Sequence, residues 1–419
     1  MKKQLTYLIL LVTISVNAYG QLSLKTNIEA ASIKLELFEH KTNLSFIDSI
    51  LKDNKVLALG ESSHATSDFF KMKFMIIKYC VTELGYKSIG IEADYAGTKQ
   101  LNSFLTDGDG KIDDAIYDMG TAAWMTLEMK EIIEWLREYN SNKSAKDKIQ
   151  IWGFDMQFSI MTVQLLKKFI LLYPDEKQID IDFLDTIQSW KNANQIDKIM
   201  LDNFIKQLHE LSIRMNDSDR NELLRLTQII QQTIYYKSKT DYVERLIVRD
   251  SCMAVNVKSN LNFYNHKAII WAHNGHIAKS KNYKNWRPMG NYLNSWLNDS
   301  YYPLGLMTES GSLGFYNRIT NTNDSIQIPF DSRKKSYDKI LACNNYDNFF
   351  IDIKSSLNNQ VLRQLFSEKH LTRTIDLIYN TKTKNYYVQN NYFKESLYEN
   401  FNGIIFIRQT SAARPIKFN

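Results

Sequence analysis

The chain has 419 residues, 44% hydrophobic and 23% charged, which supplies a packed core and excludes intrinsic disorder, collagen-like repeats and a polytopic membrane protein. A formal charge of +6 over this length is too weak to mark a nucleic-acid binder. With only 15 Gly and 5 Pro, long irregular stretches are few, and at about 150 residues per domain the length predicts two or three folding units.

The first segment reads as a leader. Met1-Lys2-Lys3 precedes the apolar run Leu5–Val12, and the small residues Ala18 and Gly20 follow. A basic start, a short apolar stretch and small residues before a cut at Gly20 predict a secretory signal peptide over 1–20, hence a secreted or periplasmic protein. The run is shorter than the ~20 residues a membrane span needs, so no stable membrane anchor is expected.

The next signals are short β-branched runs, read as buried strands of a mainly parallel sheet. Val56–Leu59 is followed by a helical pattern over Ser67–Leu84, closed by Gly85, and then by Ser88–Ile91. That order makes a βαβ unit. A second helix is predicted over Thr121–Asn140, with Trp124, Leu127, Met129, Ile132, Ile133 and Leu136 as its apolar stripe, and a strand over Ile149–Trp152. From 158 to 264 the strand signal vanishes and helical patterns follow one another: Met161–Leu172, Ile179–Trp190, Ile196–Met215, Asp219–Tyr235 and Tyr242–Phe263. A strand at Ala268–Trp271 resumes the sheet, with weaker candidates at Leu304–Met307, Phe349–Ile353 and Ile404–Ile407, in a C-terminal third of short strands and loops. The predicted fold is α/β: a mainly parallel central sheet flanked by helices, with an inserted all-helical lobe. Residues 21–157 form the first part of the core, 158–264 the lobe and 265–419 the second part. Cys80, Cys252 and Cys343 are odd in number and far apart, so they form no disulfide framework. The basic clusters Lys279-Lys281-Lys284 and Arg333-Lys334-Lys335 lack interleaved aromatics and read as solvated loops.

Polar residues fall in a pattern. The first strand runs into Gly60-Glu61-Ser62-Ser63-His64, the second into Glu92-Ala93-Asp94 and the third into Gly153-Phe154-Asp155. The fourth runs into Ala272-His273-Asn274-Gly275-His276, and a weaker fifth ends in Thr308-Glu309. Open parallel sheets bind ligands outside the carboxyl ends of their strands, so this gathering of carboxylates and imidazoles points to one site. Taken singly the residues have plainer readings: Asp94 and Asp155 as helix caps, Glu61 as a surface residue, and His64 as a satisfied polar side chain.

Jointly, they suit hydrolysis. A neutral imidazole takes a proton from water near neutral pH, an adjacent carboxylate fixes its tautomer, and further His groups donate to a developing oxyanion. Two rivals use the same residues. A serine hydrolase would use Ser62 or Ser63, although Gly60–His64 is not the G-x-S-x-G elbow. A zinc hydrolase would use His64, His273, His276 and a Glu, although no H-E-x-x-H signature is present.

The ordered set of segments resembles the erythromycin esterase family. The matching stretches are Leu59–His64 with Asp68-Phe69-Phe70, Ile91–Asp94, Gly153–Gln157, and Arg249-Asp250 with Met253 and Asn256. The most specific are Trp271–His276 and Met289–Leu293, and the likeness spans roughly residues 50–315. What the resemblance implies is a monomeric hydrolase that opens the lactone of 14-membered macrolides, a small-molecule substrate, and so confers resistance to the antibiotic. It implies His-activated water, no essential metal and no other cofactor. Carried over, the base is His64, Glu61 and Glu92 are the supporting carboxylates, and His273 and His276 are the paired histidines. Asp94 and Asp155 add electrostatic or binding support. Where the family commonly has Arg nine residues after the base, this chain has Lys73, which keeps the charge and loses the bidentate fork.

Overall fold

The computed structural model describes residues 22–37, 43–157, 160–173, 179–189, 198–281, 286–317, 319–328, 333, 335–380, 382–383 and 385–418. The predicted leader over 1–20 lies outside them, as do Lys284 and Lys334. The strands are β1 (Ile33–Lys34), β2 (Val56–Leu59), β3 (Ser88–Asp94), β4 (Gln150–Asp155), β5 (Ala268–Trp271) and β6 (Tyr301–Asn317), then β7 (Thr322–Ile328), β8 (Asn348–Asp352), β9 (His370–Asn380), β10 (Asn385–Glu395) and β11 (Gly403–Thr410). Helices α1 (22–31) and α2 (Phe46–Leu51) precede β2, and α3 (Ser67–Thr82) follows it. Helices α4 (Tyr95–Asp107), α5 (Ile112–Asp118) and α6 (Leu127–Ser141) link β3 to β4.

The main sheet runs β1-β8-β11-β6-β2-β5-β3-β4, with β7 paired to the far end of β6. From β11 to β4 every pairing is parallel, and the antiparallel pairs lie at β8, β1 and β7. The central strands β2 and β5 are buried on both faces, which is why they read as continuous apolar runs rather than as alternations. Helix α3 stops where Gly85 takes φ +72°, a left-handed turn that costs glycine least. There the Tyr86 amide bonds back to the Cys80 carbonyl at 3.0 Å.

Between β4 and β5 the described residues hold helices only: α7 (Ile160–Leu171), α8 (Asp182–Ser189), α9 (Lys198–Ile213), α10 (Asp217–Lys237) and α11 (Tyr242–Tyr264). Val163, Leu166, Phe204, Leu208, Leu223 and Leu226 pack into a core of their own.

The structure departs from the sequence reading in three places. Helix α6 starts at Leu127, not Thr121, because Thr126 caps it by accepting from the Met129 amide. The residues between β3 and α6 hold two further helices, α4 and α5. The C-terminal third carries long strands, with β6 of 17 residues, and β9 and β10 form a two-stranded sheet apart from the main one. In addition, Lys279 is not a solvated loop residue: it is half-buried and donates to Asn402 Oδ1 at 2.5 Å.

Candidate active site

Leu59 pairs with Trp271, Ile91 also pairs with Trp271, and Asp94 pairs with Asp155. The carboxyl ends of β2, β5, β3 and β4 therefore lie side by side, and the polar residues just beyond them meet at one edge.

Beyond β2, Glu61 accepts from three groups. Its Oε1 lies 2.5 Å from His64 Nδ1, and its Oε2 lies 2.5 Å from Lys73 Nζ and 3.1 Å from Trp271 Nε1. Lys73 projects from α3, has no exposed side-chain surface and lies 4.5 Å from the centre of the Trp271 ring. Burial alone would raise the Glu61 carboxyl, but Lys73 and His64 outweigh it and hold the group down at about 2. Burial lowers the Lys73 ammonium to about 8 against the pull of Glu61. Both remain charged at neutral pH. Burial also works against a charged His64, yet the hydrogen bond and charge of Glu61 raise its proton affinity above the ordinary value. With Nδ1–H committed to Glu61, the free lone pair of His64 is on Nε2, and its side chain stays 27% exposed.

Beyond β5, His273 caps the short helix α12 (Asn274–Ile277), its Nδ1 accepting the Gly275 amide at 3.2 Å. That acceptor role fixes the neutral tautomer with hydrogen on Nε2. This Nε2 is buried and has no partner. Burial and the neighbouring His64 push the ring down to about 4, and the two imidazoles lie edge to face with centroids 5.3 Å apart. One histidine is therefore built to take a proton and its neighbour to remain a neutral donor.

The third part gathers around Arg249 of α11. Its guanidinium meets Asp155 with Nη2 at 2.7 Å and Nε at 3.2 Å, Glu92 Oε1 at 2.6 Å and His276 Nε2 at 2.9 Å. Burial opposes its charge, but Asp155 and Glu92 drive its affinity for a proton well above the ordinary value. Burial works against a charged Glu92, yet His276 and Arg249 hold that carboxyl well below the usual carboxylate range. Its second oxygen accepts the His273 amide at 2.9 Å. His276 gives Nδ1 to Asp250 at 2.8 Å. Burial and Arg249 lower its proton affinity, and Asp250 and Glu92 overcome them to raise it. Asp250, fully buried, also accepts from Trp286 Nε1 and the Met289 amide.

Glu92 is aimed by a backbone irregularity. The register of β3 against β4 slips between Ile91 and Asp94, a bulge of the kind that redirects a side chain beside a site. Gly153 opposite permits it, since a Cβ there would lie 2.5 Å from the carbonyl oxygens of both Ala93 and Asp94.

The structure thus brings Glu61, His64, Lys73, Glu92, Asp155, His273 and His276 together. Asp94 is turned elsewhere: its carboxylate caps α4 through the Gly97 amide and binds Thr162 of α7, and burial pushes it up to about 7. Asp155 both accepts the Met156 amide and holds Arg249. Glu309 faces Lys339 and Arg408, outside this group. The residue-by-residue reading passed over Arg249 and Asp250 as site residues. Their signal was an ion-forming pair in a helix whose Arg249, Met253 and Asn256 share one face at i, i+4 and i+7. Among the described residues no three His, Cys, Asp or Glu side chains converge to hold a metal ion, and His276 spends both ring nitrogens on Asp250 and Arg249.

A parallel α/β sheet that gathers imidazoles, carboxylates and a buried donor at its carboxyl edge defines a hydrolase. A family model described as erythromycin esterase matches residues 81–410; the chain belongs to the erythromycin esterase family and is a carboxylic ester hydrolase. An erythromycin esterase type II of Escherichia coli is 26% identical over 300 residues, covering 62% of this chain and 71% of its own length. Among solved structures, a succinoglycan biosynthesis protein matches with a TM-score of 0.77 at 21% identity, covering 94% of this chain and 98% of its own. An erythromycin esterase mutant in its open conformation matches at 0.61 and 14% identity, over 93% and 99%. These likenesses are of fold. No helix among the described residues is long and apolar enough to cross a membrane.

Proposed function

We propose that this chain opens the lactone of 14-membered macrolides, with His64 as the base that activates water. The observation that carries the reading is the pairing of His64, held by Glu61 at 2.5 Å, with His273, whose buried Nε2–H has no partner. His64 Nε2 removes a proton from water as the oxygen attacks the acyl carbon, and Glu61 stabilises the imidazolium that forms. The carbonyl oxygen becomes an oxyanion, which His273 Nε2–H meets. Such a donor is worth about 2.7–4 kcal/mol when well placed. The intermediate collapses with cleavage of the acyl carbon–alkoxide bond, and His64 returns its proton to the leaving alkoxide. The product is a hydroxy acid that has gained one water.

The enzyme acts in this reading as an exported monomer that inactivates the antibiotic outside the cytoplasm. The test is to incubate purified protein with 14-, 15- and 16-membered macrolides and with O-acylated polysaccharides, following hydrolysis by mass spectrometry. Ring opening of 14-membered lactones, lost in folded His64→Ala protein, is the expected result. Hydrolysis of the O-acyl esters alone would transfer the same chemistry to an envelope substrate, and full activity in His64→Ala would remove the base.

A further inference from the structure

Asn274 stands between His273 and His276 in the chain and takes no part in the proton transfers above. It is buried, and its backbone amide donates to the Glu61 carbonyl at 2.8 Å. Its side chain reaches past β2 to β6, although β2 separates β5 from β6 in the sheet. There Nδ2 donates to the Leu306 carbonyl at 2.8 Å and Oδ1 accepts the Leu306 amide at 3.2 Å. With the donor and the acceptor of one residue opposite it, the carboxamide has a single orientation. The Leu306 carbonyl also accepts the Ser62 amide at 2.9 Å. One asparagine therefore joins the loop beyond β5, the loop beyond β2 and the strand β6.

The end of the parallel ladder explains why a side chain is needed. The Ala272 amide still reaches the Leu59 carbonyl at 3.2 Å, and the Gly60 amide the Leu304 carbonyl at 2.9 Å. At the next step toward β6 the Asn274 carboxamide stands in for a backbone partner of Leu306. It crosses the space that a side chain at position 60 would fill: a Cβ on Gly60 would lie 2.1 Å from Asn274 Oδ1. The base hangs on one side of this bridge, through Glu61 and its bond to His64 at 2.5 Å. The neutral donor His273 immediately precedes it on the other. Their rings lie 5.3 Å apart, and a reaction that uses one as base and the other as oxyanion donor on the same carbonyl depends steeply on that spacing.

We propose that Asn274 is a positioning residue, whose carboxamide clips the β5 loop to β6 across Gly60 and so fixes the separation of His64 and His273. The proposal rests on the hydrolase reading above and adds the residue that sets the distance between its base and its donor.

Full-length Asn274→Ala protein is compared with wild type by crystallography and by steady-state opening of a 14-membered macrolactone. The ring separation is expected to widen by ~1 Å, and kcat to fall ~10–100-fold with KM changed less than ~3-fold, as for a small misplacement of reacting groups. The substitution is then repeated in His273→Ala protein. With the donor gone, it is expected to cost less than ~3-fold further in kcat, whereas a residue that only stabilises the fold would act alike in both backgrounds. Should Asn274→Ala not fold, Asn274→Asp replaces it; this variant keeps the shape and the acceptor for the Leu306 amide but sets a carboxylate oxygen against the Leu306 carbonyl. Failure of both variants to fold would make the residue structural and overturn the proposal. An unchanged ring separation, a loss confined to KM, equal losses in the two backgrounds, or a kcat within ~3-fold of wild type would overturn it as well. Lactones left intact by wild-type protein, with the rings parted in the variant, would sustain the clip and defeat the macrolactonase reading.

Discussion

Replacing Lys73 with Met separates what the buried ion pair does for stability from what it does for catalysis. The Lys73 and Glu61 side chains are 0% and 3% exposed. Holding the Glu61 carboxyl at about 2 instead of 4.5 corresponds to about 3 kcal/mol in favour of folding at neutral pH. That gain is complete above pH 4.5 and lost as pH falls through about 2. Burial of Lys73 lowers its ammonium from 10.5 to about 8, a cost of about 3 kcal/mol at neutral pH that disappears as pH rises through 10.5. Both shifts contain the same Lys73–Glu61 attraction, set against the burial of two charges, and removing Lys73 leaves Glu61 buried with His64 and the Trp271 indole as its side-chain partners among the described residues. Lys73→Met is therefore expected to lose about 3–5 kcal/mol. The double variant Lys73→Met/Glu61→Gln, with neither charge, is expected to return to within about 1 kcal/mol of wild type while remaining inactive. Urea unfolding at pH 7 gives the stabilities, and kcat/KM for lactone opening gives the activities. A Lys73→Met protein as stable and active as wild type, or a double variant no more stable than the single, would refute the reasoning.

Four further outcomes follow from the same geometry. Because His64 must be neutral to accept a proton and Glu61 raises its proton affinity, kcat/KM is expected to rise with pH along a limb centred above 6.5; a limb near pH 5 would count against His64 as base. Substituting His273→Ala removes the buried donor and is expected to lower kcat ~10²–10³-fold with little change in KM, measured by steady-state kinetics; a change under ~3-fold would leave the oxyanion without this partner. Gly153→Ala places a methyl against two backbone oxygens and is expected to cost about 1–3 kcal/mol and to depress kcat by moving Glu92, read from thermal melts beside kinetics. Prolonged dialysis against EDTA is expected to leave turnover intact, and a loss restored by zinc would favour metal-activated water.

How much of this was legible depends on which forces act locally. β2 and β5 were found at their observed bounds because burial on both faces writes a continuous apolar run into four residues each. The polar residues beyond them stood out for the converse reason, since nothing in a parallel core needs Glu61 or His273 directly after such a run. Helix α4 escaped because it opens on Tyr95-Ala96-Gly97, and a glycine in the first turn argues against a helix. The structure requires that glycine, because a Cβ at 97 would lie 2.1 Å from the Asp118 carbonyl oxygen. The β9–β10 hairpin escaped because its strands mix Thr, Asn and Tyr among a short apolar face, Ile375, Leu377, Tyr386 and Val388, too sparse to read as a strand pattern.

The wiring of the site was hidden more deeply than its members. Arg249 belongs to a helix 94 residues beyond Asp155 in sequence, yet it joins Asp155, Glu92 and His276 in one set of contacts. Thr162 of α7 likewise reaches back to Asp94 at the head of α4. The helices between β4 and β5 are thus tied to the sheet edge through its charges, not only through apolar packing. Drawing α11 away would leave Glu92 and Asp155 buried without their cation. An uncompensated buried charge is the costliest defect a core can carry. Glu92 also holds the amide of His273, so the placement of α11 and the orientation of the neutral donor are fixed by the same carboxylate. The base side of the site, from Lys73 through Glu61 to His64, meets the donor side at the His64–His273 ring contact; Lys73→Met removes the cation beside Glu61 whereas His273→Ala removes the buried donor, so the two are expected to fail in different ways.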